Sequence, residues 1–480
     1  MVDYKKLGFR CGLEIHQQVD SGKLFCRCPS IVHDANPTIE IHRRLRAVAG
    51  ESGNIDAAAM YEMTKSKAMV YEGCDTSACL VEIDEEPPHG MDQDAIGVAI
   101  QVAKLLNARI VDEVLVMRKI VVDGSNVSGF QRTALIAENG YVTTSRGKVS
   151  VPTICLEEES AQKIESTPHH VQYRLDRLGV PLIEIATGSE ILDPEHAQEV
   201  AEKLGMILRS TGKVKRGIGT IRQDVNVSIT GGARTEIKGF QELKSIPKVI
   251  DYEIKRQIDL LAQKRPIVPE VRKAEQDLTT SFLRPMPGAQ RMYPETDVPS
   301  VSLPRSLIDG IPLPKLLDVQ IGELTKTYHL DLDIANTLVS DGLGPWFVRL
   351  CKECVNLKPS YIADTLLSLE RQAKAKAGAD IHISDKDMET LLHAVNASQA
   401  PKEAAIDIIV VMHQEKQPIK EVLSRFKPLS ENEIESRIKT IIAKNPGMPF
   451  NALIGKVMAV LRGKADGKKI TEMTKKMAGL

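Results

Sequence analysis

The stretch that decides the fold is Ile221-Arg-Gln-Asp-Val-Asn-Val-Ser-Ile229, whose residues alternate between apolar and polar. Because successive side chains of a β-strand point to opposite faces, this alternation predicts one face on a core and one polar face. A Gly231-Gly232 pair follows, and Arg234-Thr-Glu-Ile-Lys238 then alternates in the same way. The two runs predict a hairpin whose polar side carries Asp224 and Glu236 together.

Two further strand-like stretches carry charge in the same manner. In Cys11-Gly-Leu-Glu-Ile-His-Gln17, Glu14 and His16 share one face, and the apolar residues share the other. In Val180-Pro-Leu-Ile-Glu-Ile-Ala186, Glu184 stands alone among apolar neighbours. A lone charge there is unfavourable unless it is paired or binds a cation, so an ion pair with a nearby arginine and a cation site both stay open.

A further strand ends in three consecutive acids, Glu157, Glu158 and Glu159. Carboxylates from several separate strands, together with one imidazole, favour a site for Mg²⁺ or Mn²⁺. Such an ion, held by carboxylates and substrate phosphates, is typical of phosphoryl transfer. The sequence has no G-x-x-x-x-G-K-[ST] loop and no G-x-G-x-x-G that opens a helix, so any use of ATP would depend on neither motif.

The composition is that of a soluble globular protein, with 480 residues, 42% hydrophobic residues, 26% charged residues and a net charge of −1. It excludes a globally basic nucleic-acid coat protein and a largely disordered chain. The sequence has neither an apolar run long enough for a membrane helix nor the apolar core of a signal peptide. We therefore expect a cytoplasmic protein.

The sequence pattern changes at about residue 305, where apolar residues take up helical spacing. We expect an α+β fold with a large mixed-sheet domain over 1–304, an all-helical domain over 305–405 and a small helical tail over 406–480. Within the tail, residues 436–480 hold ten Lys or Arg against two acids. This excess indicates either a solvated helical face or contact with a phosphate backbone.

The eight cysteines are too sparse for a disulfide scaffold, so clustered pairs are first considered as metal ligands. Cys26 and Cys28 form one close pair, and Cys74 and Cys79 form another. Two such pairs brought together would make a Cys₄ zinc site, although their spacing is not that of a standard zinc ribbon. Two pairs of buried thiols are the alternative.

Blocks of sequence spread over nearly the whole chain form a set: Gly12-Leu-Glu-Ile-His-Gln-Gln18, Lys23-Leu-Phe-Cys-Arg-Cys28, Asp123-Gly-Ser-Asn-Val-Ser-Gly-Phe-Gln-Arg-Thr133, Pro181-Leu-Ile-Glu-Ile185, Arg291-Met-Tyr-Pro-Glu-Thr-Asp297 and Phe450-Asn-Ala-Leu-Ile-Gly-Lys-Val-Met458. Read together, they resemble the kinase/transamidase subunits of tRNA-dependent amidotransferases. More narrowly, they resemble the E subunit of the archaeal glutamyl-tRNA(Gln) amidotransferase, to which the bacterial B subunit is related.

This resemblance implies a cradle-shaped catalytic domain, a helical domain and a tail similar to the YqeY family. It implies a ligase that uses ATP and Mg²⁺ to phosphorylate the γ-carboxylate of glutamate carried on tRNA(Gln). Ammonia then displaces phosphate and leaves glutaminyl-tRNA(Gln). The ammonia would arrive through a tunnel from an asparaginase-like glutaminase, the D subunit, in a heterotetramer of two D and two E subunits.

The resemblance also implies roles for individual residues. Carried onto this sequence, the magnesium and phosphate-transfer site would consist of Glu14, His16, Glu157, Glu158, Glu184, Asp224 and Glu236. Glu14, His16 and Glu184 are predicted to be catalytic, with His16 either a ligand or a base toward ammonia. Arg222 and Lys238 are predicted to contact ATP. The residues predicted to contact tRNA are Lys456, Arg462, Lys464, Lys468 and Lys469.

One departure from the family pattern is a missing insertion. The E subunit usually carries a domain similar to aspartyl-tRNA synthetase just before the Arg-Pro-x-Pro-Gly block, whereas here Leu283 runs straight into Arg284. Two other interpretations stay open. The chain is alternatively a bacterial-type B subunit with an amidase partner, or a non-catalytic adaptor that binds tRNA.

Overall fold

The computed structural model describes most of the chain, namely residues 3–32, 36–44, 53, 55, 57–121, 123–240, 242–286, 292–426, 429–446, 448–461 and 467–477, without the side chains of 57–59, 468 and 469. The chain forms two compact units, Met1–Leu316 (unit 1) and Leu317–Leu480 (unit 2). The large mixed sheet followed by a helical region confirms the predicted fold class at this level.

Unit 1 is built mainly of strands. They are β1 (Arg10–Gln18), β2 (Ile39–Arg43), β3 (Ala68–Gly73), β4 (Arg109–Ile110), β5 (Glu113–Val114), β6 (Val116–Ile120), β7 (Phe130–Thr144), β8 (Gly147–Glu158), β9 (Gln162–Ser166), β10 (His170–Arg174), β11 (Pro181–Ala186), β12 (Ile221–Ser228), β13 (Thr235–Lys238), β14 (Glu270–Ala274), β15 (Thr280–Pro285), β16 (Met292–Pro294) and β17 (Val301–Ser302). Its helices are α1 (Ala57–Met63), α2 (Gln93–Leu105), α3 (Pro194–Ser210), α4 (Ile246–Ala262) and α5 (Arg305–Gly310).

The main sheet runs in the order β15-β14-β13-β12-β1-β11-β8-β7-β6-β16, with β4 also paired to β7. Its strands pair antiparallel except β13 and β14, which are parallel. β12 and β13 form the antiparallel pair that the alternation predicts. A smaller sheet has the order β2-β3-β10-β9, and β5 pairs with β17.

One face of the main sheet is covered by helices. Leu13, Ile15, Val225 and Val227 point to this face and are at most 2% exposed. The helices α2, α3 and α4 pack on it and form one continuous apolar core with the strands. Because helices and core occupy this side, the polar residues of the same strands lie together on the opposite face.

The helix α3 shows how the local sequence fixes an element of this layer. The Asp193 side chain accepts a hydrogen bond from the backbone N–H of His196, and Pro194 occupies the first turn. Both features are typical of a helix start. The residues that face the core, such as Val200, Leu204 and Leu208, recur at helical spacing and are buried.

Every regular element described in unit 2 is helical. The helices are α6 (Leu317–Tyr328), α7 (Leu332–Ser340), α8 (Gly344–Glu353), α9 (Pro359–Ala377), α10 (Asp385–Asn396), α11 (Ala405–Glu415), α12 (Ile419–Leu423), α13 (Glu431–Ala443), α14 (Phe450–Leu461) and α15 (Gly467–Met477). α11 packs on α9, while α13, α14 and α15 pack on one another around Ile434, Ile438, Val457, Leu461 and Ile470. Across the described residues, no helix combines the length and apolar character needed to span a bilayer.

Candidate active site

The site is centred on β1, which pairs antiparallel with β11 on one side and β12 on the other. His16 lies directly opposite Glu184 on β11, and Glu14 lies directly opposite Asp224 on β12. Directly opposite residues of an antiparallel pair project from the same face of the sheet. The register therefore gathers four predicted residues on the face of the sheet opposite α2, α3 and α4, which we call the acidic face.

The first group on the acidic face joins β1, β8 and β11. The Nε2 atom of His16 lies 3.2 Å from Oε2 of Glu184. Donor atoms of His16, Glu157 and Glu184 all lie within 4.8 Å of one another. Lys119 of β6 places its Nζ 2.5 Å from Oε1 of Glu157 and 3.6 Å from Oε2 of Glu184.

The second group joins β1, β12 and β13. Donor atoms of Glu14, His16 and Asp224 also lie within 4.8 Å of one another, so His16 belongs to both groups. Lys238 places its Nζ 2.5 Å from Oδ2 of Asp224 and 2.5 Å from Oε1 of Glu236. Glu236 therefore joins the acidic face through this lysine.

Burial and neighbouring charge shift the pKa values of these groups. Burial raises the pKa of Glu157, and the charge of Glu184 adds to the effect. Burial alone would raise the pKa of Glu184, but the hydrogen bond with His16 and the charge of Lys119 hold it well below its ordinary value. Burial raises the pKa of Glu14, as do the charges of Glu236 and Glu184. The face thus concentrates negative charge that burial makes costly to leave uncompensated.

The side chains of the three consecutive acids at the end of β8 have three different sets of contacts. Glu157 points to the acidic face and accepts hydrogen bonds from Thr133 Oγ1 (2.5 Å) and Gln131 Nε2 (3.2 Å). Glu159 accepts a hydrogen bond from Nη2 of Arg222 at 2.8 Å.

The structure separates Glu158 from the other predicted ligands. Adjacent residues of a strand point to opposite faces, so Glu158 lies behind the sheet when Glu157 lies in front of it. Its Oε1 accepts the backbone N–H of Arg132 at 2.9 Å and lies 3.5 Å from the guanidinium. There it lines a small cavity with Phe25, Glu82 and Arg132.

Lys119, Gln131 and Thr133 are contacts of Glu157 that the sequence analysis did not identify. They come from β6 and β7, and the register places Lys119 opposite Gln131 and Thr133 opposite Glu157. The sequence of β6, Val-Met-Arg-Lys-Ile, does not alternate between apolar and polar residues, and only the period-two geometry of a strand places Lys119 on the face opposite to its neighbour Arg118. That geometry is usable only once the pairing of β6, β7 and β8 is known.

The cysteines form a second cluster, with a composition different from the predicted Cys₄ set. Donor atoms of Cys26, Cys28, Cys79 and Glu82 lie within 4.8 Å of one another. Glu82 accepts hydrogen bonds from the Cys26 thiol at 2.9 Å and from the backbone N–H of Cys79 at 2.7 Å. Burial raises the pKa of Cys79 to about 12, so this thiol is protonated when no metal is bound.

The structure places Cys74 outside this cluster. Its Sγ lies 3.5 Å from Nη2 of Arg174 and 3.8 Å from the carbonyl oxygen of Asn36. Glu82 is the fourth member of the cluster, and three thiolates with one carboxylate are a chemically reasonable donor set for Zn²⁺.

The predicted tRNA contacts are described only in part. Lys456 lies on α14, is exposed, and donates a hydrogen bond to Oδ1 of Asn445 at 2.6 Å. Arg462 and Lys464 lie outside the described residues, as do the side chains of Lys468 and Lys469.

The fold and the site together define a class of protein. An open sheet face that carries carboxylates, an imidazole and lysines is suited to divalent cations and phosphates, as in enzymes of phosphoryl transfer. Residues 9–309 match the family described as the GatB/GatE catalytic domain. The chain belongs to this family, which confirms the resemblance predicted from the sequence blocks.

Relatives of full length support the same assignment. The chain is 34% identical to the E subunit of the glutamyl-tRNA(Gln) amidotransferase of Methanocaldococcus jannaschii, with 99% of each chain covered. It is 34% identical to the E subunit from Sulfurisphaera tokodaii, with 100% of each covered. It is 36% identical to that of Thermococcus sibiricus, with 99% of this chain and 98% of the relative covered.

The same alignments bear on the missing insertion. The alignment with the Methanocaldococcus jannaschii protein runs over 624 positions, whereas this chain has 480 residues. A long stretch of the relative therefore has no counterpart here. At the predicted junction, Leu283 and Arg284 lie side by side within the continuous strand β15, which pairs with β14.

Proposed function

We propose that this protein amidates glutamate carried on tRNA(Gln), with ATP and ammonia as co-substrates. The observation that carries the proposal is the convergence of Glu14, His16, Glu157, Glu184 and Asp224 on the acidic face of the sheet. The relatives, which are named as E subunits of glutamyl-tRNA(Gln) amidotransferases, support the choice of substrate.

The reaction explains why such a face is needed. A carboxylate is a poor acyl donor because oxide is a very poor leaving group. The γ-carboxylate of the tRNA-bound glutamate attacks the γ-phosphorus of ATP, which releases ADP and forms an acyl phosphate. Ammonia then attacks the acyl carbon, phosphate leaves with the bonding electrons, and the amide remains after loss of a proton.

The residues of the acidic face fit a magnesium site. Oxygen donors with one imidazole suit Mg²⁺ or Mn²⁺, and in this site such an ion would neutralise charge on the phosphoryl oxygens. Glu157, Glu184 and His16 form one proposed ligand set, and Glu14, His16 and Asp224 form the other. Arg222 and Lys238 lie beside these groups and are proposed to contact the phosphates of ATP.

The cysteine cluster is proposed to hold a structural zinc ion. We assign Cys26, Cys28, Cys79 and Glu82 as its ligands, with Cys74 excluded. Lys23 is fully buried and lies 3.5 Å from Oε1 of Glu82, which orients this carboxylate.

Partners and location follow from the family. We propose an asparaginase-like glutaminase, the D subunit, as the source of ammonia, in an assembly of two D and two E subunits in the cytoplasm. The tail over 406–480 is proposed to form a YqeY-like domain that contacts tRNA through its basic residues. Co-purification with an asparaginase-like protein supports this partner, whereas an amidase with a small third subunit would support the bacterial type.

The test is amidation of glutamyl-tRNA(Gln) by the isolated chain with ATP, Mg²⁺ and ammonium. We expect glutaminyl-tRNA(Gln) to form without a partner, and Glu184→Gln to abolish its formation while tRNA binding stays unchanged. Glu202→Gln, on the exposed side of α3, is the matched control and should keep full activity. Normal amidation by the Glu184 variant would refute the site, and no amidation by the wild-type chain would favour a tRNA-binding adaptor.

A further inference from the structure

Each pair of carboxylates on the acidic face holds the ammonium group of a lysine between its members. Lys119 lies between Glu157 and Glu184, and its Nζ is 2.5 and 3.6 Å from their oxygens. Lys238 lies between Asp224 and Glu236 at 2.5 Å from each. In both pairs the ammonium occupies the position from which a cation would bridge the two carboxylates.

Lys119 is held there by the fold. Its strand, β6, pairs with β7 so that Lys119 is opposite Gln131, which itself contacts Glu157 at 3.2 Å. Its side chain is 16% exposed and that of Glu157 is 2% exposed, so solvent screens their attraction only weakly. A divalent ion bound by Glu157, Glu184 and His16 cannot share this space with an ammonium, because the two cations repel strongly at such a distance.

We propose that Lys119 is a resident counter-ion of the Glu157–Glu184 pair, which a divalent cation must displace, and that its ammonium then binds the phosphoryl group in transfer. This inference rests on the proposed function. A lysine suits both positions, because its charge sits at the end of a flexible four-carbon stem and binds carboxylate or phosphate as a point charge.

The exchange has a functional consequence. Without ATP, Lys119 already offsets one of the two negative charges of the pair, so the site binds a divalent cation weakly. ATP phosphates would offer the ammonium a new partner and would add negative charge that favours a divalent cation at Glu157, Glu184 and His16. Occupation of the metal site is thereby tied to the presence of the phosphoryl donor.

The test is a titration of the full chain with Mn²⁺ alone, followed by electron paramagnetic resonance, without ATP or tRNA. We expect Lys119→Met to bind Mn²⁺ about tenfold more tightly than wild type, because a competing positive charge is removed from the ligands. Lys119→Arg keeps the charge and should keep the weak affinity. Lys148→Met removes an exposed lysine at the far end of β8 and should leave Mn²⁺ binding unchanged.

In amidation assays, Lys119→Met should lower kcat by about a hundredfold or more, because the ammonium no longer stabilises the transferred phosphoryl group. An unchanged or weaker Mn²⁺ affinity in folded Lys119→Met would overturn the counter-ion role. If wild type amidates glutamyl-tRNA(Gln) in that case, only this inference fails. If wild type neither binds Mn²⁺ nor amidates, the proposed function fails with it.

Discussion

A single carboxylate, Glu295, ties together the strands behind the acidic face. Its side chain is fully buried and lies 2.5 Å from Nη2 of Arg118 and 2.8 Å from Nε of Arg132. Arg118 and Arg132 directly neighbour Lys119 and Gln131 in sequence, so they project from the opposite face of β6 and β7. By fixing these two arginines, Glu295 helps set where Lys119 and Gln131 point.

We predict that Glu295→Gln lowers the free energy of unfolding of unit 1 by about 3 kcal/mol at pH 7, because the buried Arg132 and the half-buried Arg118 each lose their nearest carboxylate partner. Burial alone would raise the pKa of Glu295, but hydrogen bonds from Arg118, the backbone N–H of Asp297 and Arg132 lower it to about 2. The stabilisation is present above the unfolded-state pKa of 4.5 and is lost as the pH falls toward 2. The difference in the free energy of unfolding between the variant and wild type should therefore be smaller at pH 3 than at pH 7.

Urea unfolding followed by circular dichroism measures this difference. The fluorescence of Trp346, the one tryptophan in the sequence, reports on unit 2 instead. Glu202→Gln on α3 serves as the control and should change little at either pH. An equal loss of stability at pH 7 and pH 3 would argue against ionisation of Glu295 as the cause.

At the cysteine cluster, we predict that Cys79→Ser removes zinc and that Cys74→Ser retains it. Cys79 contributes a donor atom to the cluster, whereas Cys74 contacts Arg174 and the carbonyl of Asn36 instead. Metal content of the purified variants, measured by atomic absorption, distinguishes them. Glu82→Gln should weaken zinc binding because a neutral amide is a poorer ligand than a carboxylate. Equal zinc in the Cys79 and Cys74 variants would contradict this ligand set.

At the scale of elements, the loop that leads into β7 is held by two stacked tyrosines. Tyr71 on β3 and Tyr173 on β10 have ring centroids 5.8 Å apart. Tyr71 donates a hydrogen bond to the carbonyl of Gly124 at 2.7 Å, and Tyr173 donates to that of Asp123 at 2.6 Å. The smaller sheet thus anchors the loop that precedes Gln131.

We predict that Tyr71→Phe lowers the free energy of unfolding by about 1–2 kcal/mol, because the carbonyl of Gly124 loses a buried hydrogen-bond donor. The amides of the loop, such as Gly129, should then exchange with deuterium faster than in wild type. Hydrogen–deuterium exchange read by mass spectrometry checks this. Tyr361→Phe, which removes a hydroxyl bonded to the carbonyl of Lys402 in unit 2, should leave the exchange of this loop unchanged.

Strand alternation could predict much of the acidic face, but only within each strand. It placed Glu14 with His16, and Asp224 across a hairpin from Glu236, because period-two patterning fixes a face without knowledge of the partner strand. It also separates Glu157 from Glu158, because the buried Ile154 and Leu156 alternate onto the face of Glu158. It could not show which strands lie beside Glu157, because that depends on the register of β8 with its neighbours, which is set by pairing over long sequence distances.

The cysteine cluster and the tail show the same limit. Sequence spacing paired Cys74 with Cys79, whereas the fold brings Glu82 to Cys79 and leaves Cys74 apart. In the tail, the count of positive charges begins at residue 436, which falls inside α13. The helix itself begins at Glu431, after the capping box of Ser430 with Glu433. A count of charges identifies a charged surface, whereas capping residues and apolar packing determine where a helix begins and ends.

At the scale of the molecule, positive charge is concentrated in the last 45 residues of a chain whose net charge is −1. α13, α14 and α15 surround their own apolar cluster, which includes Ile434 and Ile470. A deletion that starts at residue 436 would cut α13 and expose this cluster. A deletion of 429–480 removes the three helices as one piece, so it is the better test of their role.

We predict that deletion of 429–480 weakens binding of glutamyl-tRNA(Gln) by about tenfold to a hundredfold near 0.15 M salt. The slope of log affinity against log salt should also become shallower, because fewer phosphate contacts release counter-ions. Mn²⁺ binding should be unchanged, since its proposed ligands all lie in unit 1. Filter binding of labelled tRNA at several salt concentrations measures the affinity and the slope.

A second variant distinguishes lost charge from lost structure in the same experiment. Lys456, Lys475 and Lys476 are exposed, so their combined replacement by Gln removes charge while the apolar cluster stays intact. If α14 and α15 bind the phosphate backbone, this variant should reproduce part of the change in the slope of log affinity against log salt. The change should correspond to at most one phosphate contact for each lysine. An affinity and slope equal to wild type in both variants would show that tRNA binds elsewhere, and would leave the excess charge of the tail as a solvated surface.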